Sequence, residues 1–523
     1  MKEDISVNSS DVDSLLQVQP VRTTGTVSVC GESIGYTAVA GVLPVDGDRD
    51  LASTPIVAMS YTAYFADGTS AADRPLAFIY DGGPGSSTIW MHMGGIGPRR
   101  VVTADHTATR PAPYELRNNP YCPLNVMDLV FVDAPGTGFG RLLPTGSDPT
   151  ARIAARREIA KAVWGIRQDA STFAKFVVQF LSEYGRWNSP KLLFGESYGT
   201  MRSAVLANML QEEAGVSLNG LIMLSQVLSY NDLVDNPSPG NDLAYVLALP
   251  SFAAAAWFHH ATPVYDGKRL DDIVEDAQQF AKTTYAAALF DGNSIKPSVM
   301  RHVASKLHDL TGLKREYLLN ARLRVSSQMF THELLKDRGQ IIGRPDARFS
   351  SPAVSSTREK SAYDPLVASI AHPCIAAFNE YSRGVLKFGT NMTYRAFIAS
   401  DVPDFEWNYD IGAPGETAAP GEMEWPHVNV IQHLASAMSY NPSLKVMLNG
   451  GYYDLACPFY AATYQLEHLP IVESLRSNVS YSLYASGHTI YINEPSLEAL
   501  HRNITAFVRR ACSEVVAEAR TTE

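Results

Sequence analysis

A tight turn between a strand and a helix is encoded near the middle of this 523-residue chain. The apolar run 192–194, Leu-Leu-Phe, passes straight into residues 195–199, which read Gly-Glu-Ser-Tyr-Gly, and residues 200–213 have the pattern of a helix. Glycine at both ends of the pentapeptide permits a sharp bend, because side chains there would collide with neighbouring backbone. Such a turn raises its central side chain, Ser197, above the end of the strand.

The periodicity around this turn predicts an α/β fold. Segments rich in Val, Ile, Thr, Ala and Tyr read as an antiparallel meander, at 25–30, 33–45, 56–65 and 76–80. Short apolar runs then alternate with helical patterns, at 129–132, 148–184, 192–194, 200–213 and 221–224. The alternation returns with strands at 444–448 and 479–484. Repeated strand and helix imply a mostly parallel central sheet flanked by helices.

Between these two parts the strand pattern is lost. Segments 271–289 and 298–319 read as helices, which predicts an inserted, mainly helical lid. The predicted domains are listed in chain order as the first part of the core, the lid and the second part of the core, at 1–228, 229–426 and 427–523.

Composition excludes several classes of protein. Hydrophobic residues make up 46% of the chain and the formal net charge is -11, which favours a large globular core and disfavours nucleic acid or anionic membranes as partners. The longest apolar stretch, 243–258, is short for a bilayer span and contains Pro250. The N-terminal segment is polar through Ser14, so we expect a cytoplasmic protein, or a secreted or periplasmic one if a leader was removed.

The cysteines and histidines do not form a metal-binding pattern. The five cysteines are far apart, which disfavours a disulfide scaffold and fits a reducing compartment. The pairs 259–260, His-His, and 332–333, His-Glu, lack a further ligand at standard spacing. We therefore expect neither a metal nor another cofactor.

Ser197 is a candidate nucleophile, although an ordinary turn between strand and helix would show the same pentapeptide. A serine hydroxyl needs a base, and the base needs a carboxylate that fixes its tautomer. In a fold with this strand–turn–helix the chain order is serine, acid, histidine. Asp454 follows strand 444–448 and His488 follows strand 479–484, so both lie where parallel strands place functional groups. The alternative for Asp454 is a helix N-cap.

A glycine-rich loop, residues 81–87 (Asp-Gly-Gly-Pro-Gly-Ser-Ser), follows the strand 76–80. It lacks the Lys-Ser/Thr ending of a phosphate-binding P-loop and does not match G-x-G-x-x-G. A Gly-Gly loop that precedes the nucleophile in the chain is the usual source of a donor for the oxyanion that forms during acyl transfer.

The sequence resembles a known family in five ordered segments, at 80–85, 131–139, 195–199, 454–457 and 487–488. Together they are similar to the serine carboxypeptidases, peptidase family S10, and to its bacterial members in particular. The resemblance runs from about residue 75 to 495 and implies the α/β-hydrolase fold.

The resemblance also implies a role for each matching residue. Ser197 would be the nucleophile, His488 the base and Asp454 its orienting acid. The backbone N–H groups of Gly83 and Tyr198 would form the oxyanion hole.

Four further residues would contact the substrate. They are Asp81, Gly82, Glu196 and Cys457. Glu196 would hold the terminal carboxylate of the substrate, for which it must be protonated, and burial can raise its pKa accordingly. This predicts activity at acidic pH.

Three positions depart from the family pattern. The family has asparagine where Asp81 stands, glutamate where Gly95 stands, and cysteine where Ser86 stands, so its disulfide at this loop cannot form. Two acids near an anionic group alter the carboxylate clamp. From the sequence we expect Asp81→Asn to extend activity to higher pH.

The sequence therefore predicts a serine-type carboxypeptidase that acts through an acyl-enzyme. An esterase or acyltransferase on the same scaffold is the alternative, and a non-catalytic binding protein is a third. The partner would be a peptide or a small acyl substrate. The sequence leaves the side-chain preference and the oligomeric state open.

Overall fold

The computed structural model describes residues 15–47, 54–235, 240–355, 361–402, 405–410 and 428–520. The strands are β1 Val21–Val29, β2 Glu32–Asp46, β3 Pro55–Ala66, β4 Leu76–Tyr80, β5 Arg99–Val101, β6 Leu116–Asn118, β7 Asp128–Val132, β8 Arg141–Leu142, β9 Lys191–Glu196, β10 Gly220–Leu224, β11 Gln340–Ile342, β12 Ser350–Pro352, β13 Lys445–Gly451 and β14 Val479–Tyr484.

Ten of these strands form one sheet, in the order β1-β2-β3-β7-β4-β9-β10-β13-β14 with β8 beside β3. The first three strands pair antiparallel as predicted, but the fourth segment of the predicted meander, β4, lies between β7 and β9 and pairs parallel with both. From β7 to β14 each neighbouring pair is parallel. Because β4, β7, β9 and β10 are buried along their whole length, they read as continuous apolar runs rather than as alternating patterns.

Helices cover both faces of the sheet. Besides the single turn Ile89–Met91, the α-helices of the described residues are, in chain order, α1 Pro149–Val163, α2 Ile166–Glu183, α3 Tyr198–Glu212, α4 Leu243–Phe258, α5 Leu270–Phe280, α6 Ala286–Phe290, α7 Pro297–Thr311, α8 Arg315–Asn320, α9 Ser327–Glu333, α10 Pro365–Gly384, α11 Ile398–Asp401, α12 Ile431–Tyr440, α13 Phe459–Glu467 and α14 Glu494–Arg520. Apolar side chains of α2, α3 and α12 pack on one face of the sheet. Those of α10 and α14 pack on the other, which gives the α/β-hydrolase architecture.

The prediction of a single long helix at 148–184 is wrong, because the helix is interrupted at Trp164 and Gly165. Gly165 is extended, with φ -178° and ψ 163°. Its neighbour Ile166 donates its N–H to the carbonyl of Asn408 over 3.0 Å, and Asn408 donates to the carbonyl of Trp164 over 3.1 Å. A segment distant in sequence therefore takes the backbone groups that a continuous helix would have paired.

The stretch between β10 and β13 is largely helical in its described part and carries a third apolar cluster of its own, with α4 at its centre. It also contains the hairpin of β11 and β12, which the sequence did not predict. The domain boundary at 228/229 stays a prediction, and the boundary at 426/427 lies outside the described residues. Within the described part of the chain, no helix has both the length and the apolar content needed to cross a bilayer.

Candidate active site

The predicted turn at Ser197 is a strained junction between β9 and α3. Ser197 has φ 59° and ψ -130°, a conformation that residues with a side chain rarely adopt. A Cβ at Gly195 would lie 2.3 Å from the carbonyl oxygen of Gly199, so this position of the turn admits only glycine. The half-buried Ser197 side chain therefore stands at the end of β9 at the N-terminus of α3. Positive potential from the helix N-terminus favours negative charge there.

A short chain of contacts joins the serine turn to the histidine. The N–H of Ser197 donates to the carbonyl of Leu224, at the end of β10, over 3.0 Å. The next residue, Ser225, donates from its hydroxyl to the carbonyl of His488 over 2.6 Å. Ser197 and His488 therefore lie at the same edge of the sheet, as the parallel arrangement of β9, β10 and β14 requires.

Asp454 and His488 are hydrogen-bonded to one another. His488 Nδ1 donates to Asp454 Oδ2 over 2.7 Å, and the acid is fully buried. The other carboxylate oxygen, Oδ1, accepts the N–H groups of Ala456 and Cys457 at 2.8 and 2.9 Å. These bonds keep Asp454 an acceptor and fix the imidazole so that its Nε2 is the nitrogen left for proton transfer.

Opposing effects set the charge of this histidine. Burial disfavours the imidazolium, but the nearby Asp454 carboxylate outweighs it and holds the pKa of His488 well above its usual value. His488 therefore binds a proton strongly. A loop of the predicted lid also supports the histidine, because the backbone N–H of His488 donates to the carbonyl of Pro345 over 2.7 Å.

Cys457 is buried beside this pair. Burial raises the pKa of its thiol, which keeps the sulfur protonated. Asp454, Cys457 and His488 each have an atom of a kind that can bind a metal, and these three atoms lie within 4.8 Å of one another. Among the described residues this is the one such cluster. Since Asp454 is already bonded to Nδ1 of His488, the pair has the geometry of an oriented catalytic base.

The glycine-rich loop packs directly against the serine turn. A Cβ at Gly82 would lie 2.4 Å from the backbone nitrogen of Tyr198, so the loop approaches more closely than a side chain would permit. Gly83 is exposed and has φ 103°. The two backbone segments predicted to supply the oxyanion donors are therefore side by side.

Two acids lie behind the serine. Glu196 is 1% exposed, and burial together with the charge of Asp81 raises its pKa to about 8. Tyr491 donates from its hydroxyl to Glu196 Oε2 over 2.8 Å, while the buried Oε1 has no partner among the described residues. At neutral pH Glu196 is therefore mostly protonated, with one buried oxygen that has no partner among the described residues.

Asp81 is held as a hydrogen-bond acceptor. Ser86 donates its hydroxyl to Asp81 Oδ2 and accepts a hydrogen bond from Trp90 Nε1 over 2.8 Å. Burial raises the pKa of Asp81, although the Ser86 bond opposes the increase. Because its neighbour Ser86 donates to it, Asp81 does not present the donor that an asparagine amide would.

A tyrosine packs against Gly95, the position at which the family resemblance would place a glutamate. A Cβ at Gly95 would lie 2.7 Å from Cβ of Tyr491, so no side chain fits at 95 while Tyr491 is in place. The sequence did not single out Tyr491, since the run 490–492, Ile-Tyr-Ile, reads as ordinary packing. Its position just after His488 was the one available signal. Ser225 was missed for the same reason, because nothing in the sequence distinguishes it from other strand-end serines.

The sequence model of the serine carboxypeptidase family matches residues 57–298. This range includes the glycine-rich loop and Ser197 but ends before Asp454 and His488. No curated protein matches the sequence.

Solved structures resemble the chain at low identity. A prohormone-processing carboxypeptidase from Saccharomyces cerevisiae is 14% identical, with a TM-score of 0.49 over 90% of this chain and 91% of that one. A proline iminopeptidase from Mycobacterium smegmatis is 12% identical, with a TM-score of 0.37 over 91% and 100%. A carboxyl esterase from Bacillus coagulans is 12% identical, with a TM-score of 0.35 over 90% and 99%.

Likenesses at this level carry no argument about function. What the comparisons show is that residues 57–298, a little under half of the chain, match the serine carboxypeptidase family.

Proposed function

We propose that this chain removes C-terminal residues from peptides through an acyl-enzyme formed on Ser197. The observation that carries the proposal is the 2.7 Å hydrogen bond between His488 and the buried Asp454, placed at the sheet edge where the strained turn presents Ser197. An oriented imidazole within reach of a serine hydroxyl is the arrangement that activates a nucleophile, and here both groups lie at the same edge of the sheet.

The proposed reaction begins with proton transfer. His488 Nε2 takes the proton of the Ser197 hydroxyl as its oxygen attacks the scissile carbonyl, and Asp454 stabilises the resulting imidazolium. The backbone N–H groups of Gly83 and Tyr198 bind the oxyanion. When the C–N bond breaks, His488 gives the proton to the leaving amine. Water, deprotonated by the same histidine, then cleaves the ester and restores Ser197.

Recognition of the C-terminal carboxylate is assigned to Glu196. With a pKa of about 8 it is neutral at pH 7, and its unpartnered Oε1 can donate a hydrogen bond to an anionic group. A buried, neutral acid avoids the repulsion that a carboxylate would exert. Tyr491 orients Glu196 by its bond to Oε2 and occupies the space next to the family's missing glutamate.

Asp81 favours a second candidate function. It faces the same region as Glu196 but is held as an acceptor by Ser86, so its charge weakens the attraction for a terminal carboxylate. An ester substrate, or acyl transfer to another acceptor, does not require that carboxylate. The esterase or acyltransferase is therefore retained as the alternative.

We also propose that the chain resembles the bacterial members of the family more than the others. This proposal is supported by the resemblance of the five ordered segments.

Matched substrates separate the candidates. Hydrolysis of N-blocked dipeptides with a free C-terminus should exceed hydrolysis of the corresponding amides and methyl esters in kcat/KM, and Ser197→Ala should abolish all three. Faster hydrolysis of the esters, with no preference for the free acid over the amide, would replace the carboxypeptidase by the alternative.

A further inference from the structure

A fully buried ion pair lies behind the predicted oxyanion hole. Arg202 of α3 donates from Nε to Asp169 Oδ2 over 2.6 Å and from Nη2 to Oδ1 over 3.3 Å. Neither side chain has exposed surface. Removing two charges from water is costly, and apolar residues of the same volume often replace such pairs without loss of stability. Stability alone therefore does not account for this pair.

The arginine also reaches the glycine-rich loop. Arg202 Nη1 donates to the backbone carbonyl of Asp81 over 2.6 Å. This carbonyl belongs to the peptide that joins Asp81 to Gly82, from which the chain continues into Gly83. Glycines have wide conformational freedom, so the loop does not fix its own path. The bond from Arg202 constrains the peptide plane at which that path begins.

The aspartate reaches the other side of the same hole. Tyr198 donates its hydroxyl to Asp169 Oδ2 over 3.1 Å, and the guanidinium carbon of Arg202 lies 5.2 Å from the centre of the Tyr198 ring. The guanidinium also stacks on Phe173, with its carbon 4.3 Å from the ring centre. The side chain of the residue that supplies the second N–H is thus tied to the same pair.

The two oxyanion donors come from segments more than one hundred residues apart in the chain, so their spacing depends on packing. We propose that Arg202 and Asp169 are a positioning pair that sets the placement of the Gly83 N–H relative to the Tyr198 N–H. The inference depends on the proposed acyl-transfer function. Neither side chain touches the substrate in this account.

Loss of such positioning has a distinct kinetic signature. Oxyanion donors act on charge that develops in the transition state, so their misplacement lowers kcat and leaves ground-state binding largely unchanged. A peptidyl aldehyde forms a tetrahedral adduct with the serine and places an oxygen in the hole. Its affinity should fall in parallel with kcat.

The test uses Arg202→Lys in the full chain. A lysine keeps the charge beside Asp169 but lacks the planar fork that reaches Asp169 and the Asp81 carbonyl together. We expect kcat to fall by about 10- to 100-fold, with the aldehyde inhibition constant raised by a similar factor and KM within about threefold. If this variant does not fold, the double variant Arg202→Met with Asp169→Leu replaces the pair by apolar groups. We expect the same changes in its kcat, KM and aldehyde inhibition constant.

A second buried arginine supplies the matched control. Arg186 donates to Asp128 over 2.7 Å and to the carbonyl of Arg74 over 2.9 Å, and its side chain is 4% exposed. Asp128 begins β7, at the opposite end of the sheet from Ser197. Arg186→Lys should lower the melting temperature without changing kcat or the aldehyde affinity.

The outcomes separate this inference from the proposed function. A folded Arg202→Lys or double variant with wild-type kcat and aldehyde affinity would overturn the positioning role, as would a loss of the same size in Arg186→Lys. If the wild type releases no C-terminal residue but still forms the aldehyde adduct, the carboxypeptidase proposal fails. The positioning role is then decided by the adduct affinities of the variants.

Discussion

Tyr491 donates a hydrogen bond to one oxygen of Glu196 and leaves the other oxygen of this buried acid without a partner among the described residues. The tyrosine hydroxyl fixes the orientation of the carboxyl group. Because its pKa is raised to about 8, Glu196 carries a proton at pH 7 and can donate it in a hydrogen bond to an anionic ligand. The proposed recognition of a terminal carboxylate therefore depends on one acid and one tyrosine.

Tyr491→Phe should weaken binding of substrates with a free C-terminus. Without the hydroxyl, Glu196 loses its orienting partner and a second oxygen becomes unsatisfied. We expect KM for a blocked dipeptide acid to rise by about 10-fold, the equivalent of one hydrogen bond, with little change for the corresponding methyl ester. Steady-state kinetics on both substrates check this. An equal loss on acid and ester would show that Tyr491 does not act through the carboxylate.

The raised pKa of Glu196 predicts an alkaline limit to substrate binding. As the pH rises through about 8, Glu196 ionises and repels the substrate carboxylate, so KM should increase. Glu196→Gln is the control, because it keeps a donor that does not titrate and should remove this limb of the profile. A KM that stays constant from pH 6 to pH 9.5 in the wild type would contradict the assignment.

The same shift affects stability. An acid whose pKa is 4.5 in the unfolded chain and about 8 in the folded one binds more protons in the folded state between these values. The free energy of unfolding should therefore fall as the pH rises from about 4.5 to about 8. The fall should be smaller in Glu196→Gln. Denaturant titrations across this pH range, in wild type and variant, measure the difference.

Asp81→Asn should shift the alkaline limb to lower pH. The sequence alone suggested the opposite, since the substitution removes one of the two acids near the substrate carboxylate. In the structure the charge of Asp81 raises the pKa of Glu196, so its removal lets Glu196 ionise earlier. The variant should also bind carboxylate substrates more tightly at pH 6, because one repulsive charge is gone. A limb displaced upward in pH–KM profiles would restore the simpler expectation.

Gly95→Ala should destabilise the fold. The new Cβ would lie 2.7 Å from Tyr491 and 3.1 Å from Leu497, both of which are well packed. Overpacking of this kind costs about 1 to 3 kcal/mol. Gly384→Ala is the matched control, since nothing lies within 4 Å of its added Cβ. Thermal unfolding of both variants provides the comparison, and equal melting temperatures would show that Tyr491 moves aside freely.

The sequence predicted the parts of this protein that depend on local pattern. The strand, turn and helix around Ser197 follow from two glycines and an apolar run, and the strand-end positions of Asp454 and His488 follow from the alternation of elements. These features are set by steric limits and by hydrophobic periodicity over a few residues.

What the sequence missed depends on contacts between distant segments. The break at Gly165 is stabilised by backbone bonds to Asn408, and the partnership of Tyr491 with Glu196 joins residues 295 positions apart. The sign of the Asp81 effect depends on which of the two acids ionises last, and burial, hydrogen bonds and mutual charge together decide this. No local pattern reports such relations.

The proposal that His488 activates Ser197 is tested most directly by the rate and site of fluorophosphonate labelling. We expect the reagent to modify Ser197, as mapped by mass spectrometry. His488→Ala should slow labelling by about 100- to 10,000-fold while leaving the fold intact. Labelling at another residue, or a His488→Ala variant that labels at the wild-type rate, would contradict the account.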